Sequence, residues 1–277
     1  MNALLFSFSR SLLSHRSLFG VPLALSSVCA DFCLNPPLPL PSSFRLFSPF
    51  CIRVELYLLA KSITYDRVVY GYGEGASSDK KGYNPTGGPV ALHGKKLLPV
   101  LSVLSSPADP GLLISESLEI ISHLQSSHGS IPCASSPSRL VDWKKTFDEV
   151  KRKLVRPRIV RMTHLKDWAD ERDVAYARNK YEKSGFDFDA ALADSESLKV
   201  EMGAILNDLD ASVLLGGAES SPTVMQHGVW SMDDLCLVPD LRSLTAVKGV
   251  AWPPRVRKYV EGACGGEFGD YFGCAVE

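Results

Sequence analysis

Residues 44–63 read FRLFSPFCIRVELYLLAKSI, and this stretch decides the architecture of the first half of the chain. A short apolar strand is predicted over residues 43–47, followed by a helix over residues 50–61. The apolar residues of that helix fall on two stripes, with Ile52, Leu56 and Leu59 on one and Val54 and Leu58 on the other. Two apolar faces indicate a helix that is covered on both sides inside a layered domain.

The corner between this strand and this helix has the sequence Ser48-Pro49-Phe50-Cys51. A thiol redox site at such a corner uses Cys-x-x-Cys, because one thiolate attacks and the second thiol resolves the product. The chain offers Ser-x-x-Cys instead. The corner is therefore the first candidate site, with an altered or a lost chemistry.

Downstream of the corner, short strands and helices alternate. Strands are predicted in TYDRVVY (64–70), KLLPVLSVL (96–104) and GLLIS (111–115), and a helix in ESLEIISHLQ (116–125). The Gly-rich segment 71–88 is predicted to be a loop. The order β-α-β, loop, β-β-α, with Pro99 opening the third strand, is typical of an α/β thioredoxin-like domain, here over residues 43–128.

Beyond residue 132 the strand signals stop, and helical stretches are separated by Pro or Gly. An all-helical second domain is predicted over residues 136–261. Ser231 and Asp234 have the spacing of a capping box, in which each side chain accepts a hydrogen bond from the backbone of the other. The Gly-rich residues 262–277 are expected to be a flexible tail.

The first 40 residues have the composition of an organelle transit peptide. They carry Arg10, His15 and Arg16 among Ser and Leu, and no acidic residue precedes Asp31. A secretory signal is the rival interpretation, and the Pro-rich NPPLPLPSS (35–43) is predicted to be a linker. We therefore expect a chloroplast or mitochondrial protein, or otherwise a cytoplasmic one.

Gross composition excludes several classes of partner. Lys and Arg total 30 against 31 Asp and Glu, so no single-sign field favours nucleic acid. No apolar stretch is long enough for a membrane span. The seven Cys are scattered, which fits free thiols in a reducing compartment, and no His or Cys cluster has the spacing of a metal site.

With these residues in view, the chain resembles the glutaredoxin 2 family, the two-domain glutaredoxins with glutathione-transferase-like architecture. The resemblance covers residues 44–261, and WSMDDLCLVPDLRSLTAVKGVAWPPRVRKYVE (230–261) is its most specific part. It implies an α/β thioredoxin-like domain followed by an all-α domain. It also implies a groove that binds glutathione as a co-substrate, no metal, small-molecule or protein disulfides as substrates, and a monomer or homodimer.

The resemblance also implies the site residues. Pro99 would be a cis-proline, and the backbone of Leu98 would pair with the cysteinyl segment of glutathione. Glu116 and Ser117 would hold the γ-glutamyl end at a helix N-terminus, which favours a carboxylate. Lys96 would take the glycine carboxylate. Pro49 and Phe50 would border the bound tripeptide.

At the corner itself the chain departs from the family motif Cys-Pro-x-Cys. Either Ser48 replaces the first Cys, or a two-residue deletion or gene-model error has removed it; both alignments leave Cys51 in the resolving position. A mixed disulfide cannot form on a serine oxygen, whereas a hydroxyl can stabilise a glutathione thiolate. The sequence thus predicts a glutathione-dependent oxidoreductase or transferase acting through Ser48 or Cys51. The alternative is a non-catalytic glutathione-fold binding protein.

Overall fold

The computed structural model describes residues 23–28, 47–74, 86–103, 111–132, 137–165, 168–214, 230–264 and 269–277. Its first domain has the element order β-α-β-α-β-β-α. The elements are β1 (Leu23–Val28), α1 (Pro49–Ala60), β2 (Asp66–Tyr70), α2 (Gly88–His93), β3 (Val100–Val103), β4 (Leu112–Ser115) and α3 (Ser117–His128). The short helix α2 begins at Gly88, where the predicted loop ends, and no element was predicted for its other residues.

The four strands form one mixed sheet in the order β2-β1-β3-β4. β1 pairs in parallel with β2 and antiparallel with β3, and β3 pairs antiparallel with β4. The prediction of a first strand over 43–47 was wrong for Phe47, which is in no strand; residues 43–46 lie outside the described residues. The strand in that place of the sheet is Leu23–Val28, inside the segment interpreted as a leader.

Helix α1 is buried along most of its length, as its two apolar stripes predicted. Every residue from Cys51 to Leu58 is buried, and the helix packs against α3 and against α8 (Met232–Leu244) of the second domain. This burial includes the Glu55 carboxylate, which pairs with Arg67 of β2 at 2.6 Å. Helix α1 is therefore packed against elements of both domains.

The second domain is helical, so the chain is an α/β thioredoxin-like domain followed by an all-α domain. Among its described residues the elements are α4 (Pro137–Ile159), α5 (Glu171–Lys183), α6 (Phe188–Ala193), α7 (Ser195–Asp208) with a π-helical segment (Leu209–Leu214), α8 and α9 (Pro254–Cys264). No helix in the described part of the chain is long and apolar enough to cross a membrane.

The predicted capping box is present at the start of α8. The backbone N–H of Asp234 donates to Ser231 Oγ at 3.2 Å, and the backbone N–H of Ser231 donates to Asp234 Oδ2 at 2.8 Å. Tyr259 of α9 donates its hydroxyl to the second carboxylate oxygen at 2.6 Å. This buried cluster joins the last two helices.

The expectation of a flexible tail over 262–277 does not fit the residues that the structure describes there. Cys264 ends α9, and residues 269–277 fold back onto the helical domain. Tyr271 is fully buried, and Val276 forms a parallel bridge with Val247. The Glu277 carboxylate lies 3.0 Å from the Lys199 ammonium. A Gly-rich composition did not reveal this docking, because the contacts come from distant parts of the chain.

Candidate functional site

A cleft of about 360 Å³ opens between the two domains beside the first turn of α1. Its volume is within the range of roughly 300–1,000 Å³ that small-molecule sites occupy. The first domain contributes the α1 corner, the segment after β2 and the starts of β3 and α3; the second contributes α5. The lining residues are Phe47, Ser48, Pro49, Phe50, Gly71, Tyr72, Glu74, Pro89, Lys96, Leu97, Leu98, Pro99, Glu116, Ser117, Lys180 and Tyr181.

Ser48 is the N-cap residue of α1, and its half-buried side chain lines the cleft. Its Oγ accepts a long hydrogen bond, 3.5 Å, from the backbone N–H of Cys51. Because the hydroxyl accepts from this N–H, its own proton remains available to an acceptor in the cleft. Pro49 follows at the first helical position, where its missing N–H costs nothing.

Cys51 lies behind this corner. Its side chain is fully buried and is not among the residues that line the cleft. A thiol that attacks a substrate has to reach it from a partly exposed position. The observed burial matches a Cys that packs as a small apolar residue.

The Leu98–Pro99 peptide bond is cis, and both residues line the cleft at the entry to β3. Lys96, two residues before Leu98, donates from its ammonium to the backbone carbonyl of Tyr72 at 2.6 Å. Burial, together with the positive charge of Lys180, lowers the pKa of Lys96 to about 8. This ammonium is therefore partly desolvated.

Glu116 and Ser117 stand where β4 turns into α3. Glu116 has a φ of 71°, a left-handed conformation that non-Gly residues rarely adopt and that is common at binding sites. Its side chain does not cap the first turn of α3. Glu116 therefore does not cap the first backbone N–H groups of α3. These groups lie at Ser117, which lines the cleft.

A buried arginine that the sequence analysis missed supports Ser117. Arg53 of α1 is 7% exposed, and its Nη1 donates to Ser117 Oγ at 3.1 Å. Its Nε has no hydrogen-bond partner among the described residues. A guanidinium can only donate, so Ser117 Oγ must accept here, and the single Ser117 hydroxyl proton is left for another acceptor.

The helical domain supplies the opposite wall through Lys180 and Tyr181 of α5. The hydroxyls of Tyr181 and Tyr72 lie 3.2 Å apart, and burial raises the pKa of both, so both remain protonated at neutral pH. Asp173, also on α5, accepts a hydrogen bond from the backbone N–H of Gly73 at 2.6 Å. α5 is therefore bound directly to the segment that follows β2.

Phe47, the residue before the Ser48 corner, packs against aromatic side chains. The Phe47 ring lies 5.4 Å from that of Trp168 and 5.9 Å from that of Tyr271, measured between centroids. Trp168 also contacts Tyr72, at 5.2 Å. The residue before Ser48 is thus packed against the helical domain and against the docked C-terminal segment.

Eight of the predicted site residues meet in this one cleft: Ser48, Pro49, Phe50, Lys96, Leu98, Pro99, Glu116 and Ser117. Cys51 lies outside it. The sequence did not predict Tyr72, Lys180 and Tyr181 as site residues, because they belong to no local motif. It also did not predict Arg53, because its spacing in the sequence does not indicate that it is buried. No group of acidic, His and Cys side chains within the described ranges is arranged to hold a metal ion.

Two family models match the two domains. Residues 47–127 match the glutathione S-transferase N-terminal domain, and residues 139–263 match the glutaredoxin 2 C-terminal domain. The first match begins after β1.

Individual proteins agree with these family matches. Glutaredoxin 2 of Escherichia coli K12 is 27% identical over 172 residues, covering 62% of this chain and 74% of that protein. The structure of glutaredoxin 2 from Salmonella typhimurium in complex with glutathione aligns with a TM-score of 0.65 at 21% identity, over 88% of this chain and 97% of that one. FzlA from C. crescentus aligns with a TM-score of 0.53 at 14% identity, over 90% of each chain. The first domain thus matches the glutathione S-transferase N-terminal model and the second the glutaredoxin 2 C-terminal model, so the chain is similar to glutaredoxin 2 across both domains.

Proposed function

We propose that this protein binds glutathione in the cleft between its domains and acts as a glutathione-dependent oxidoreductase or transferase. The observation that carries the proposal is the convergence of Ser48, the Leu98–Pro99 segment and the Glu116–Ser117 pair on one cavity of suitable volume. A similarly folded glutaredoxin 2 has been solved with glutathione. The matches to the glutathione S-transferase N-terminal and glutaredoxin 2 C-terminal models support the same ligand.

Within this activity, Ser48 favours stabilisation of the glutathione thiolate over dithiol exchange. Its hydroxyl proton is free to be donated at the N-terminus of α1, where the helix dipole also favours a negative charge. A hydrogen bond to the sulfur lowers the pKa of the thiol, whose proton leaves to water. The thiolate then forms a bond to an electrophilic carbon or to a disulfide sulfur, and the leaving group departs with the electron pair.

In this proposal the protein has no nucleophilic thiol in the cleft and therefore cannot carry out dithiol exchange itself. The Ser48 oxygen cannot take part in a disulfide, and the buried Cys51 does not reach the cleft. If the deletion or gene-model alignment is right instead, a Cys is missing between Ser48 and Pro49. Sequencing the transcript across residues 40–55 decides between these alignments.

The test measures two reactions of glutathione in wild type, Ser48→Ala and Ser48→Cys. Conjugation to 1-chloro-2,4-dinitrobenzene should occur in wild type and fall on the order of 10- to 100-fold in Ser48→Ala, because one hydrogen bond to the charged sulfur is lost. Ser48→Cys should gain reduction of the mixed disulfide between glutathione and 2-mercaptoethanol. Cys51→Ala is the matched control and should leave conjugation unchanged.

A second candidate function is a non-catalytic protein that binds glutathione or a partner through the same cleft. The absence of a thiol at position 48 and the burial of Cys51 favour it. Retention on immobilised glutathione with neither conjugation nor reduction in wild type would identify this function. Wild type that shows neither binding nor turnover would refute both proposals.

A further inference from the structure

The docked C-terminal segment, residues 269–277, contacts the residue that precedes the Ser48 corner. Tyr271 of this segment is fully buried, and the centroid of its ring lies 5.9 Å from that of the Phe47 ring. Phe47 lines the cleft and is joined by one peptide bond to Ser48, the N-cap residue of α1. The match to the glutaredoxin 2 C-terminal domain ends at residue 263. Tyr271 therefore contacts the candidate site from a part of the chain that this match does not include.

Tyr271 is itself held by the end of α8. The Arg242 guanidinium lies 4.4 Å from the centroid of the Tyr271 ring, and Arg242 Nε donates to the Gly269 carbonyl at 2.7 Å. The backbone N–H of Tyr271 donates to Thr245 Oγ1 at 2.8 Å. Arg242 and Thr245 are fully buried, and a cation–π contact is stronger when it is shielded from water. The Tyr271 ring is therefore fixed to the end of a packed helix.

The position of Phe47 depends on its side chain. Phe47 belongs to no helix or strand, so no ladder of backbone hydrogen bonds fixes it. Its ring packs edge-on against Trp168, with 5.4 Å between the centroids, and at a tilt against Tyr271. Aromatic pairs at such distances attract each other beyond the burial of their area. The two rings therefore set the direction from which the chain enters α1.

The orientation of the Ser48 hydroxyl follows from this direction. Within the described ranges, Ser48 Oγ forms one hydrogen bond, the long one of 3.5 Å from the backbone N–H of Cys51. Such a bond is too weak to hold the hydroxyl by itself. A displacement of about 1 Å at a reacting group can cost on the order of 100-fold in rate. The packing of Phe47 is therefore expected to control how well Ser48 reaches the sulfur.

We propose that Tyr271 is a positioning residue for the reaction, which packs on Phe47 and thereby keeps the Ser48 hydroxyl directed at the glutathione sulfur. The inference rests on the proposed function and extends the residues that control it to the C-terminal segment. Tyr271 is fully buried and is not among the residues that line the cleft, so it does not touch the ligand. Its effect on the reaction has to pass through Ser48.

The test uses Tyr271→Leu in the full-length chain, which removes the ring and keeps an apolar side chain. The pH dependence of conjugation to 1-chloro-2,4-dinitrobenzene at saturating glutathione gives the pKa of the bound thiol. We expect its midpoint in Tyr271→Leu to lie about 0.5 to 1 pH unit above that of wild type, because the hydrogen bond to the thiolate is weakened. The rate at a pH below the midpoint should fall about three- to tenfold, in proportion to the thiolate fraction. The affinity for S-methylglutathione, which has no thiol, should stay unchanged in calorimetry.

Three further variants separate positioning from a general loss of structure. Tyr271→Phe keeps the ring and should retain the wild-type pH profile. Phe272→Leu is the matched control, because the Phe272 ring of the same segment contacts Trp252 and Arg257 instead of Phe47. It should also retain the wild-type profile. In a Ser48→Ala background, Tyr271→Leu should change neither the rate nor the midpoint further, since the hydroxyl through which it acts is already absent.

The outcomes that overturn the inference differ from those that overturn the proposed function. If wild type conjugates glutathione but Tyr271→Leu keeps the wild-type midpoint, or lowers the rate equally with and without the Ser48 hydroxyl, Tyr271 has no positioning role. If wild type neither binds nor conjugates glutathione, the proposed function fails and the inference fails with it. If thermal denaturation shows that Tyr271→Leu is unfolded, Phe47→Leu removes the same contact from its other side. It should raise the midpoint in the same way, and an unchanged midpoint would overturn the inference.

Discussion

The guanidinium of Arg53 and the hydroxyl of Ser117 form one hydrogen-bonded unit beside the cleft. Arg53 fixes Ser117 Oγ as an acceptor, so the Ser117 proton is directed to another group, and the nearby positive charge strengthens its donation to a carboxylate. Arg53→Met should therefore weaken glutathione binding by about three- to tenfold. Arg53→Lys should recover part of the affinity, since it keeps a buried charge but not the planar geometry.

The control for this prediction separates the γ-glutamyl end from the rest of the tripeptide. Cysteinylglycine lacks the γ-glutamyl group, so its affinity, measured by calorimetry, should be the same in wild type and in Arg53→Met. Stability should change little, because an apolar side chain of similar volume replaces a buried charge that has no carboxylate partner among the described residues. An equal loss for both peptides would show that Arg53 supports the whole cleft and not Ser117 alone.

Lys96 makes ligand binding depend on pH in a predictable direction. Burial and the charge of Lys180 lower its pKa to about 8, against attraction from Asp173 and Glu74. Lys96 is therefore charged below pH 8 and neutral above it, and the affinity for S-methylglutathione should fall as pH rises from 7 to 9. Lys180→Met removes the repulsion and should move this midpoint upward.

Lys96→Met provides the reference for that measurement. The ligand's own amine titrates in the same range, so the contribution of Lys96 is the difference between the two pH profiles from calorimetry. Profiles that run parallel in wild type and Lys96→Met would show that Lys96 does not act on the ligand.

At the scale of secondary structure, the start of α8 is a capping box that also ties α9 to it. Ser231→Ala removes one cap and should lower the free energy of unfolding by about 1 kcal/mol. Asp234→Ala should cost about 3 kcal/mol, because the Ser231 N–H and the buried Tyr259 hydroxyl both lose their acceptor. Urea denaturation of the two variants measures the difference. Equal losses would mean that the Tyr259 contact contributes nothing to stability.

Local patterns were sufficient to predict these helices and the corner at Ser48, whereas the site residues Lys96, Leu98, Glu116 and Ser117 were predicted from the family resemblance. The two apolar stripes of α1, the capping box at Ser231 and the segment before Pro99 can all be recognised within a few residues of sequence. β1 could not be recognised, because LALSSV lies in a Ser- and Leu-rich segment and becomes a strand only by pairing with β2 and β3. Lys180 likewise reaches the cleft only through the packing of α5 on the first domain.

For the whole molecule, the pocket depends on contacts between distant parts of the chain. Asp173 binds the Gly73 backbone across the domain boundary, and Phe47 packs against Trp168 and Tyr271. The corner at Ser48 is thus positioned by both domains and by the C-terminal segment. The first domain is expected to lose the geometry of its cleft when it is separated from the second.

The position of β1 in the sheet places a limit on any processed leader. β1 lies between β2 and β3, so removal of residues 1–40 would take away the strand that joins them and expose two unpaired edges. A leader that leaves the fold intact therefore has to end before Leu23.

A chain that begins at residue 41 should unfold at a lower temperature and aggregate, whereas a chain that begins at residue 20 should behave like the full-length protein. Thermal denaturation and size-exclusion chromatography of both truncated chains test this, and N-terminal sequencing of the mature protein locates the processing site. If the chain that begins at residue 41 is as stable as the full-length protein, then the pairing of β1 contributes nothing to the fold and a leader extending to residue 40 is allowed.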